Sequence, residues 1–321
     1  MPLRAGRRGA ALLMVLWISA ALAAVAFSLA NTVRGETDRT STVVDEVRGY
    51  FLATGAIDRA AVELLWGVTD PSQRKIKQGS AWVDYNFPTG WAHVELIPET
   101  AKINVNVIQP ERLMRLMTAL GLEPAASLQI VQGILVRRGG APGAIPQTPT
   151  PTFSPSGASF LEIEELLSVR GVTPEIFHGT YVPTQGEPAK GEPRLVRRSG
   201  LADCLTVYGV GEQVDANTAD PAVLAAVGVP PAGIELLVQA RKVAPLKAEQ
   251  LAQMASAFGP AAGFLRLEGN SILTIRATAR ARLANGQLSD MKRTVSALVK
   301  YMPSGPTPIH ILRWYDSTWS N

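Results

Sequence analysis

The chain begins with a long uncharged, apolar segment, and this segment constrains the fold more than any other feature. The run Gly9–Val33 exceeds the roughly 20 residues that a helix needs to cross a bilayer. A secretory signal has a shorter apolar core, of about 7–15 residues, before its cleavage site. Arg4, Arg7 and Arg8 precede the run, so the positive-inside rule assigns the N-terminus to the cytoplasm. We therefore predict a single-pass transmembrane helix at 10–33, with the rest of the chain across the membrane.

Two other interpretations of the apolar segment stay open at this point. The Ala-rich stretch Leu22–Ala26 resembles a signal-peptidase site, and cleavage there would leave a mature chain that begins beyond Ala24. An ordinary single-pass anchor would have the same apolar run and the same preceding arginines. The pair Arg7-Arg8 is the minimal sign of twin-arginine export, and it is the only feature that favours that route.

After the apolar run, the chain continues with the pattern of an amphipathic helix. Between Arg34 and Trp66 there is no proline, and apolar residues recur at the spacing of a helix face. Gly67 and Pro71 then end the pattern. We predict that 34–68 continues the membrane helix and packs one stripe of side chains on a soluble domain. The apolar positions are Val43, Val44, Val47, Tyr50, Phe51, Ala53, Ile57, Ala61, Leu64 and Leu65.

Alternating apolar and polar residues predict β-strands in two regions of the remaining chain. The first is a hairpin at 81–99 with a Pro-Thr-Gly turn, and the second is a strand pair around the turn at 284–287, followed by the strand IHILRWY. We predict an α+β fold, in which the long N-terminal helix packs on a small antiparallel sheet. The sheet would be formed by 69–102 and 270–317, with a large helical domain, 103–269, inserted into the sheet region.

The predicted helical domain contains an internal repeat, in which Ile103–Leu122 matches Val214–Val229. Asn106 aligns with Asn217, and in both units a proline and then a leucine follow at the same spacing. The Asn-x-x-x-Pro pattern predicts a helix start, with the asparagine as the cap and the proline in the first turn. A stretch rich in Pro, Ser and Thr, 141–159, separates the two helix-turn-helix units and predicts a mobile loop.

The N-terminal features together resemble a type IV pilin-like prepilin. They are a short basic leader that ends in Gly9, an apolar helix that begins at the small residue Ala10, and an amphipathic continuation. The resemblance implies that 1–9 is a leader, that prepilin peptidase cleaves between Gly9 and Ala10, and that the new N-terminus is methylated. The family usually has a glutamate at the fifth mature position, where this chain has Met14. That glutamate neutralises the N-terminal amine of the preceding subunit, so a subunit at the tip does not need one.

The missing glutamate, the large soluble domain and the motif Asn217-Thr218-Ala219 resemble the family of minor pseudopilins K of type II secretion systems. This resemblance implies a structural, non-enzymatic subunit at the tip of a periplasmic pseudopilus, which takes part in protein export across the outer membrane. It also implies an inner-membrane anchor with a cytoplasmic N-terminus and a periplasmic main part. The implied partners are minor pseudopilins of the I and J types and prepilin peptidase, with the secreted substrate or the secretin as further contacts.

The repeat also supports a second interpretation, a membrane-anchored DNA receptor of the competence type. Helix-hairpin-helix units bind DNA phosphates through the peptide N–H groups of a glycine-containing turn, with basic residues nearby. The corresponding turns here are 121–123 and 228–230, and Arg137, Arg138 and Arg241 follow them. However, the first turn has a glutamate where a phosphate would lie, and the second has a proline, which lacks an N–H. We therefore expect no nucleic-acid partner.

No catalytic motif is found in the sequence. Glu162, Glu164 and Glu165 are predicted to form a solvated helix face, and Cys204 is predicted to be a small buried side chain. Some pilin-like subunits bind calcium through loop oxygens, so the family resemblance leaves a calcium ion possible. The usual calcium-loop spacing is absent, and we predict no cofactor and name no metal ligands. The aspartates considered and not nominated are Asp203, Asp215 and Asp220.

Overall fold

The computed structural model describes residues 7–69, 76, 79–139, 159–183, 195–209, 211–267, 271–302 and 307–316, with side chains outside 7–10 and 67–69. Residues 1–6 of the predicted leader and the predicted mobile loop, except Ser159, lie outside the described residues.

The described residues form nine α-helices and eleven strands. The α-helices are α1 (Arg7–Thr69), α2 (Pro110–Ala119), α3 (Pro124–Arg137), α4 (Pro174–His178), α5 (Leu201–Cys204), α6 (Pro221–Ala226), α7 (Pro231–Val243), α8 (Ala248–Gln253) and α9 (Ala255–Phe258). The strands are β1 (Trp82–Phe87), β2 (Gly90–Pro98), β3 (Ile103–Asn104), β4 (Thr180–Pro183), β5 (Leu195–Arg198), β6 (Leu205–Thr206), β7 (Val214–Asp215), β8 (Leu265–Arg266), β9 (Ile272–Ala281), β10 (Arg293–Tyr301) and β11 (Ile309–Tyr315). Short 3-10 helices cover Glu99–Ala101, Ile163–Ser168 and Gly259–Phe264.

Helix α1 is a single rod that runs without a break through the apolar and the amphipathic segments. Its 63 residues give a length of about 95 Å at 1.5 Å per residue. Residues 11–44 are exposed throughout, whereas the C-terminal part of the helix packs on the large sheet. The rod therefore extends well beyond the domain that it supports.

The contact between α1 and the sheet is built from small side chains on both surfaces. Because alanines bring backbones close together, the helix lies deep against the strands. Gly90 is a point of very close approach, since an added Cβ would lie 2.3 Å from the carbonyl oxygen of Arg280 and 2.5 Å from the Leu52 side chain. The buried residues are Leu52, Ala53, Ala56, Ile57 and Ala60 on α1 and Ala92, Ala277, Ala279 and Ala297 on the sheet.

The large sheet has five strands in the order β1-β2-β9-β10-β11, and each neighbouring pair is antiparallel. The central neighbours β2 and β9 are far apart in the sequence. We call the chain between them the insertion. The predicted α+β fold, with a long N-terminal helix on an antiparallel sheet, is confirmed.

The insertion has its own hydrophobic core, separate from the core between α1 and the sheet. The sequence patterns predict a helical domain here, but the insertion also contains strands. Strands β3 and β6 form a parallel pair, β7 and β8 form another, and β4 and β5 form an antiparallel hairpin. Two-residue strands such as β3 and β7 are too short for a period-two pattern, so sequence patterns cannot reveal them.

The two repeat units of the insertion have matching internal contacts. The Asn106 side chain donates to the Phe160 carbonyl oxygen (2.9 Å) and accepts from the Phe160 N–H (2.7 Å). The Asn217 side chain makes the same pair of hydrogen bonds with Leu246, at 3.2 Å and 2.7 Å. Helices α2 and α6 pack against each other, which joins the two units.

The prediction that these asparagines cap helices is therefore wrong. The N-cap of α2 is Gln109, without a side-chain cap bond, and the N-cap of α6 is Asp220, whose carboxylate accepts from the N–H of Ala222. Asn106 and Asn217 instead hold a distant segment of their own unit through both of its backbone polar groups. The prolines do occupy the first turn, as expected.

A buried carboxylate joins the insertion to the sheet. Glu99 follows β2 and accepts hydrogen bonds from Thr274 on β9 (3.0 Å) and from Thr206 on β6 (2.5 Å). The Lys102 ammonium lies 2.9 Å from the same carboxylate and balances its charge. The junction between the two cores is thus polar and fully hydrogen-bonded at this point.

We predict that Asn217→Ala lowers the free energy of unfolding by about 1–3 kcal/mol, because the buried N–H and C=O of Leu246 lose their partners. Urea unfolding of the full chain in detergent, followed by tryptophan fluorescence, measures the change. Gln132→Ala, at an exposed position of α3, is the control and should be close to neutral. Equal effects of the two substitutions would contradict a stabilising role for the hydrogen bonds between Asn217 and Leu246.

Candidate membrane anchor and assembly surface

The N-terminal part of α1 has the properties of a membrane anchor. Among the described residues, α1 is the one helix long and apolar enough to cross a membrane, and none of its most apolar window is buried. Glu36 is the first carboxylate along the helix. In water this apolar surface would be fully exposed, and a lipid environment removes that cost.

The residues predicted for processing lie at the start of this helix. Gly9 and Ala10 are in the first turn of α1, and Met14 lies one turn further, with an exposed side chain. The geometry does not test peptidase cleavage, which stays a prediction. Met14 has no carboxylate beside it on the helix, since only uncharged side chains surround it in the sequence.

A second exposed apolar surface lies on the soluble part of α1. We call it the assembly stripe. Its residues follow one another at steps of three or four, so they lie on one face of the helix. All of them are exposed, and an added Cβ at Gly55 would have no heavy atom within 4 Å. The stripe consists of Val44, Val47, Phe51, Gly55, Asp58, Val62 and Trp66.

This stripe corrects the single apolar stripe that the sequence analysis assigned to domain packing. Ala53 and Ile57 are buried against the sheet, as expected. Val44, Val47 and Phe51 are exposed instead, with Phe51 at 66%. The helix therefore has two apolar faces, one used inside the domain and one left open. Exposed apolar surfaces of this size mark sites of protein or membrane contact.

An ion pair and a hydrogen bond to a buried carboxylate attach α1 to the sheet at two points of the contact. At one end, Arg293 on β10 pairs with Glu46 at 2.8 Å. At the other end, the Tyr85 hydroxyl donates to the buried Glu63 carboxylate (2.8 Å), and Arg59 lies 3.1 Å from the same group. Burial, together with the hydrogen bond to Glu63, raises the pKa of Tyr85 far above its ordinary value.

The arginines nominated for DNA binding are engaged inside the protein. Arg138 donates to the carbonyl oxygens of Val105 (2.8 Å) and Ile108 (2.7 Å). Arg241 makes the equivalent bonds to Ala216 (3.1 Å) and Ala219 (2.7 Å). Burial lowers the pKa of both guanidinium groups.

Arg137 is also occupied, since it forms an ion pair with Glu165. All three side chains therefore make contacts inside the insertion.

The peptide N–H groups of the two turns are used as well. The N–H groups of Gly121 and Leu122 donate to carbonyl oxygens of α2, and those of Gly228 and Val229 donate to α6. Both glycines have positive φ, 74° and 97°, which closes each helix and turns the chain into the next one. A phosphate would find these donors already satisfied.

The three glutamates predicted as a solvated face are in fact paired. Glu162 and Glu164 lie 2.7 Å and 3.5 Å from Arg313 on β11, and Glu165 pairs with Arg137. They attach the 3-10 helix at 163–168 to the sheet and to α3. The sequence analysis missed this pairing because Arg313 lies far along the chain from these glutamates, and local patterns do not show such contacts.

The remaining candidate groups have structural environments. Cys204 is fully buried, and burial raises the pKa of its thiol well above the ordinary value, as expected for a small core side chain. No cluster of three or more His, Cys, Asp or Glu side chains suited to a metal occurs among the described residues. A cavity of about 400 Å³ lies between the sheet and the insertion. Its guanidinium groups are already paired, Arg276 with Glu95 and Arg197 with Asp203.

The fold can be compared with known proteins. No family model matches the sequence, and no curated protein matches it either. Among solved structures, the chain is similar to one chain of the crystal structure of the GspK-GspI-GspJ complex from the type 2 secretion system of enterotoxigenic Escherichia coli. This chain has the fold of a subunit of that complex. The two are 15% identical with a TM-score of 0.51, and the match covers 88% of this chain and 100% of the other.

We predict that Arg241→Met lowers the free energy of unfolding by about 1.5–3 kcal/mol, since two carbonyl oxygens lose a charged donor. It should leave the affinity for duplex DNA unchanged. Thermal unfolding and fluorescence anisotropy with labelled duplex at two salt concentrations measure both quantities. Arg39→Met, at an exposed position of α1, makes the same change in net charge.

A phosphate site would behave differently. Its affinity would be micromolar or better, would fall steeply with salt, and would be lost in Arg241→Met but kept in Arg39→Met.

Proposed function

We propose that this protein is a minor pseudopilin of the K type, a structural and non-enzymatic subunit at the tip of a periplasmic type II secretion pseudopilus. In this role it takes part in protein export across the outer membrane. The observation that carries the proposal is the fold shared with a subunit of a type 2 secretion complex over the whole length of that subunit. The same complex contains GspI and GspJ, which supports minor pseudopilins of the I and J types as the partners.

The N-terminal segment would anchor the protein in the inner membrane as a single pass, with a cytoplasmic N-terminus and a periplasmic main part. Arginines on one side of the apolar run and the uninterrupted helix α1 support this arrangement. Prepilin peptidase would remove 1–9, and Ala10 would become the methylated N-terminus. No cofactor forms part of the proposal.

Met14 supports a position at the tip. A subunit that joins from below needs a carboxylate to pair with the amine of the subunit ahead, and an unpaired carboxylate in the membrane costs about 2.5–3.5 kcal/mol. This chain has no carboxylate before Glu36. It would still offer its own amine to a subunit beneath, so it can end a filament but not extend one.

The assembly stripe would contact the helices of the other minor pseudopilins. Phe51 and Trp66 are aromatic side chains at 66% and 58% exposure, and such residues anchor protein interfaces. Gly55 between them would allow a neighbouring helix to approach closely. Asp58 is the one charged residue of the stripe and calls for a basic side chain on the partner.

Processing is tested first. Mass spectrometry of the membrane-extracted protein should find Ala10 at the N-terminus, and Gly9→Val should retain the leader because only a minimal side chain fits the peptidase there. Gly6→Val, in the same leader, is the matched control and should be processed normally. A mature chain that begins beyond Ala24 would instead show cleavage by an ordinary signal peptidase.

Assembly is tested on the stripe. Phe51→Asp should reduce the amount of I- and J-type pseudopilins that co-purify with this protein by about tenfold, because it removes an aromatic anchor and adds an unpaired charge. Leu128→Asp, at an exposed apolar position of α3, is the control. Circular dichroism should be unchanged in both.

The tip position has its own test. Disulfide cross-linking from Phe51→Cys or Val62→Cys, in a Cys204→Ala background, should form bonds with single cysteines introduced on the N-terminal helices of the minor subunits, and should not join two copies of this chain. Ladders of self-linked protein would show a filament-forming subunit and would overturn the tip position.

A further inference from the structure

Strand β11 is an edge of the large sheet, and its outer side is open. It pairs with β10 alone among the described residues, through Lys300 with His310 and Tyr301 with Ile309. None of its backbone groups makes a hydrogen bond on the other side within this part of the chain. An edge of this kind is a template on which an extended chain can add a strand.

Three consecutive residues in the open half of β11 are exposed, and two of them are apolar. His310, Ile311 and Leu312 are all exposed, with Ile311 at 58%. A β-bulge between Leu298 and Val299 leaves Leu312 outside the pairing with β10. This part of the strand therefore has backbone groups and apolar side chains that nothing among the described residues covers.

The other half of β11 is held firmly, so the strand is not simply loose. Arg313 forms an ion pair with Glu162 at 2.7 Å. The indole N–H of Trp314 donates to Asp316 (2.9 Å), and the Tyr50 hydroxyl of α1 donates to the same carboxylate (3.0 Å). An added strand would meet a template whose position is already fixed, which lowers the entropy cost of binding.

The charge of this edge selects the partner. Lys300 and His310 lie directly opposite each other in the ladder, on the sheet face that points away from α1. Neither has an acidic partner among the described residues. The Lys300 ammonium gives this edge a positive charge, and a carboxylate beside His310 on a third strand would complement it.

A second copy of this chain fits the edge poorly. Antiparallel pairing of two β11 strands would bring two Lys300 ammonium groups to one short ladder, and like charges there are unfavourable. An added strand with a carboxylate beside His310 would place its two flanking side chains on the other face of the sheet. There they would lie next to Ile309 and Ile311, because side chains alternate along a strand.

We propose that the outer edge of β11 binds an extended segment of a partner protein by strand addition, and that this segment carries a carboxylate between two apolar residues. The site lies on the sheet, away from the assembly stripe, and does not depend on the position of the protein in a pseudopilus.

The test uses the full chain in detergent and two labelled peptides of alternating threonine and valine, one with a central glutamate and one with a central lysine. Fluorescence anisotropy should give tighter binding of the glutamate peptide by about fivefold or more, because the Lys300 ammonium attracts the glutamate and repels the lysine. Hydrogen exchange should show new protection of the backbone amides at 309–312 and none at β1, the opposite edge.

Two substitutions make the result decisive. Lys300→Glu should reverse the preference between the peptides, and Ile311→Lys should abolish binding of both, since lysine on an edge blocks strand addition. Leu128→Lys is the control on an exposed helix. Absence of binding, equal affinities for the two peptides, protection elsewhere in the chain, or an unchanged preference in Lys300→Glu would each overturn the proposal.

Discussion

The close contact between α1 and the alanine-rich face of the sheet is the interaction on which the rest of the structure depends. Ala53, Ala56 and Ala60 let the helix lie near strands that themselves present alanines. Larger side chains would move the axis of a rod about 95 Å long, and a small tilt at the sheet would become a large displacement at the membrane end. The Glu46–Arg293 ion pair attaches the helix near one end of this contact, and the hydrogen bond from Tyr85 to Glu63 attaches it near the other.

The insertion shows how one local pattern can serve two different purposes. Its helix–glycine turn–helix units have the outline of a phosphate-binding motif, yet their turn amides close helices and their arginines hold carbonyl oxygens. Arg138 and Arg241 satisfy carbonyl groups that would otherwise be buried without partners, which costs about 1–3 kcal/mol each. The repetition of the unit thus repeats one packing arrangement, in which the same polar groups make the same internal contacts.

Much of the fold could be predicted from the sequence because its main elements are long and periodic. Helix α1 and strands such as β2 and β9 span many residues, so their periods stand out. The pairs β3–β6 and β7–β8 could not be predicted, since each strand has two residues. The roles of Asn106 and Asn217 were missed for another reason: their partners lie tens of residues away, beyond any local pattern.

The residues of the candidate site also differ in how far the sequence alone can reveal their roles. The roles of Gly9, Ala10 and Met14 stay predictions, because the structure gives only their place at the start of α1. The assembly stripe was hidden, because apolar residues on two faces of one helix give a single broad pattern in which Phe51 cannot be distinguished from Ile57. Only the position of the sheet decides which face is buried.

The distribution of charge along α1 then determines where partners can be distinguished. From Gly9 to Val33 no side chain is ionisable, so contacts there rest on shape and on small residues, with little to separate one apolar helix from another. Ionisable side chains begin again only at Arg34. Within the assembly stripe, Asp58 is the single carboxylate, set between Phe51 and Val62. A partner helix with a basic residue at the matching height is favoured there, and one with an acidic residue is rejected by repulsion in a partly apolar interface. In the proposed assembly, the part of the helix beyond Arg34 would therefore select the neighbours, and the apolar part would supply anchorage.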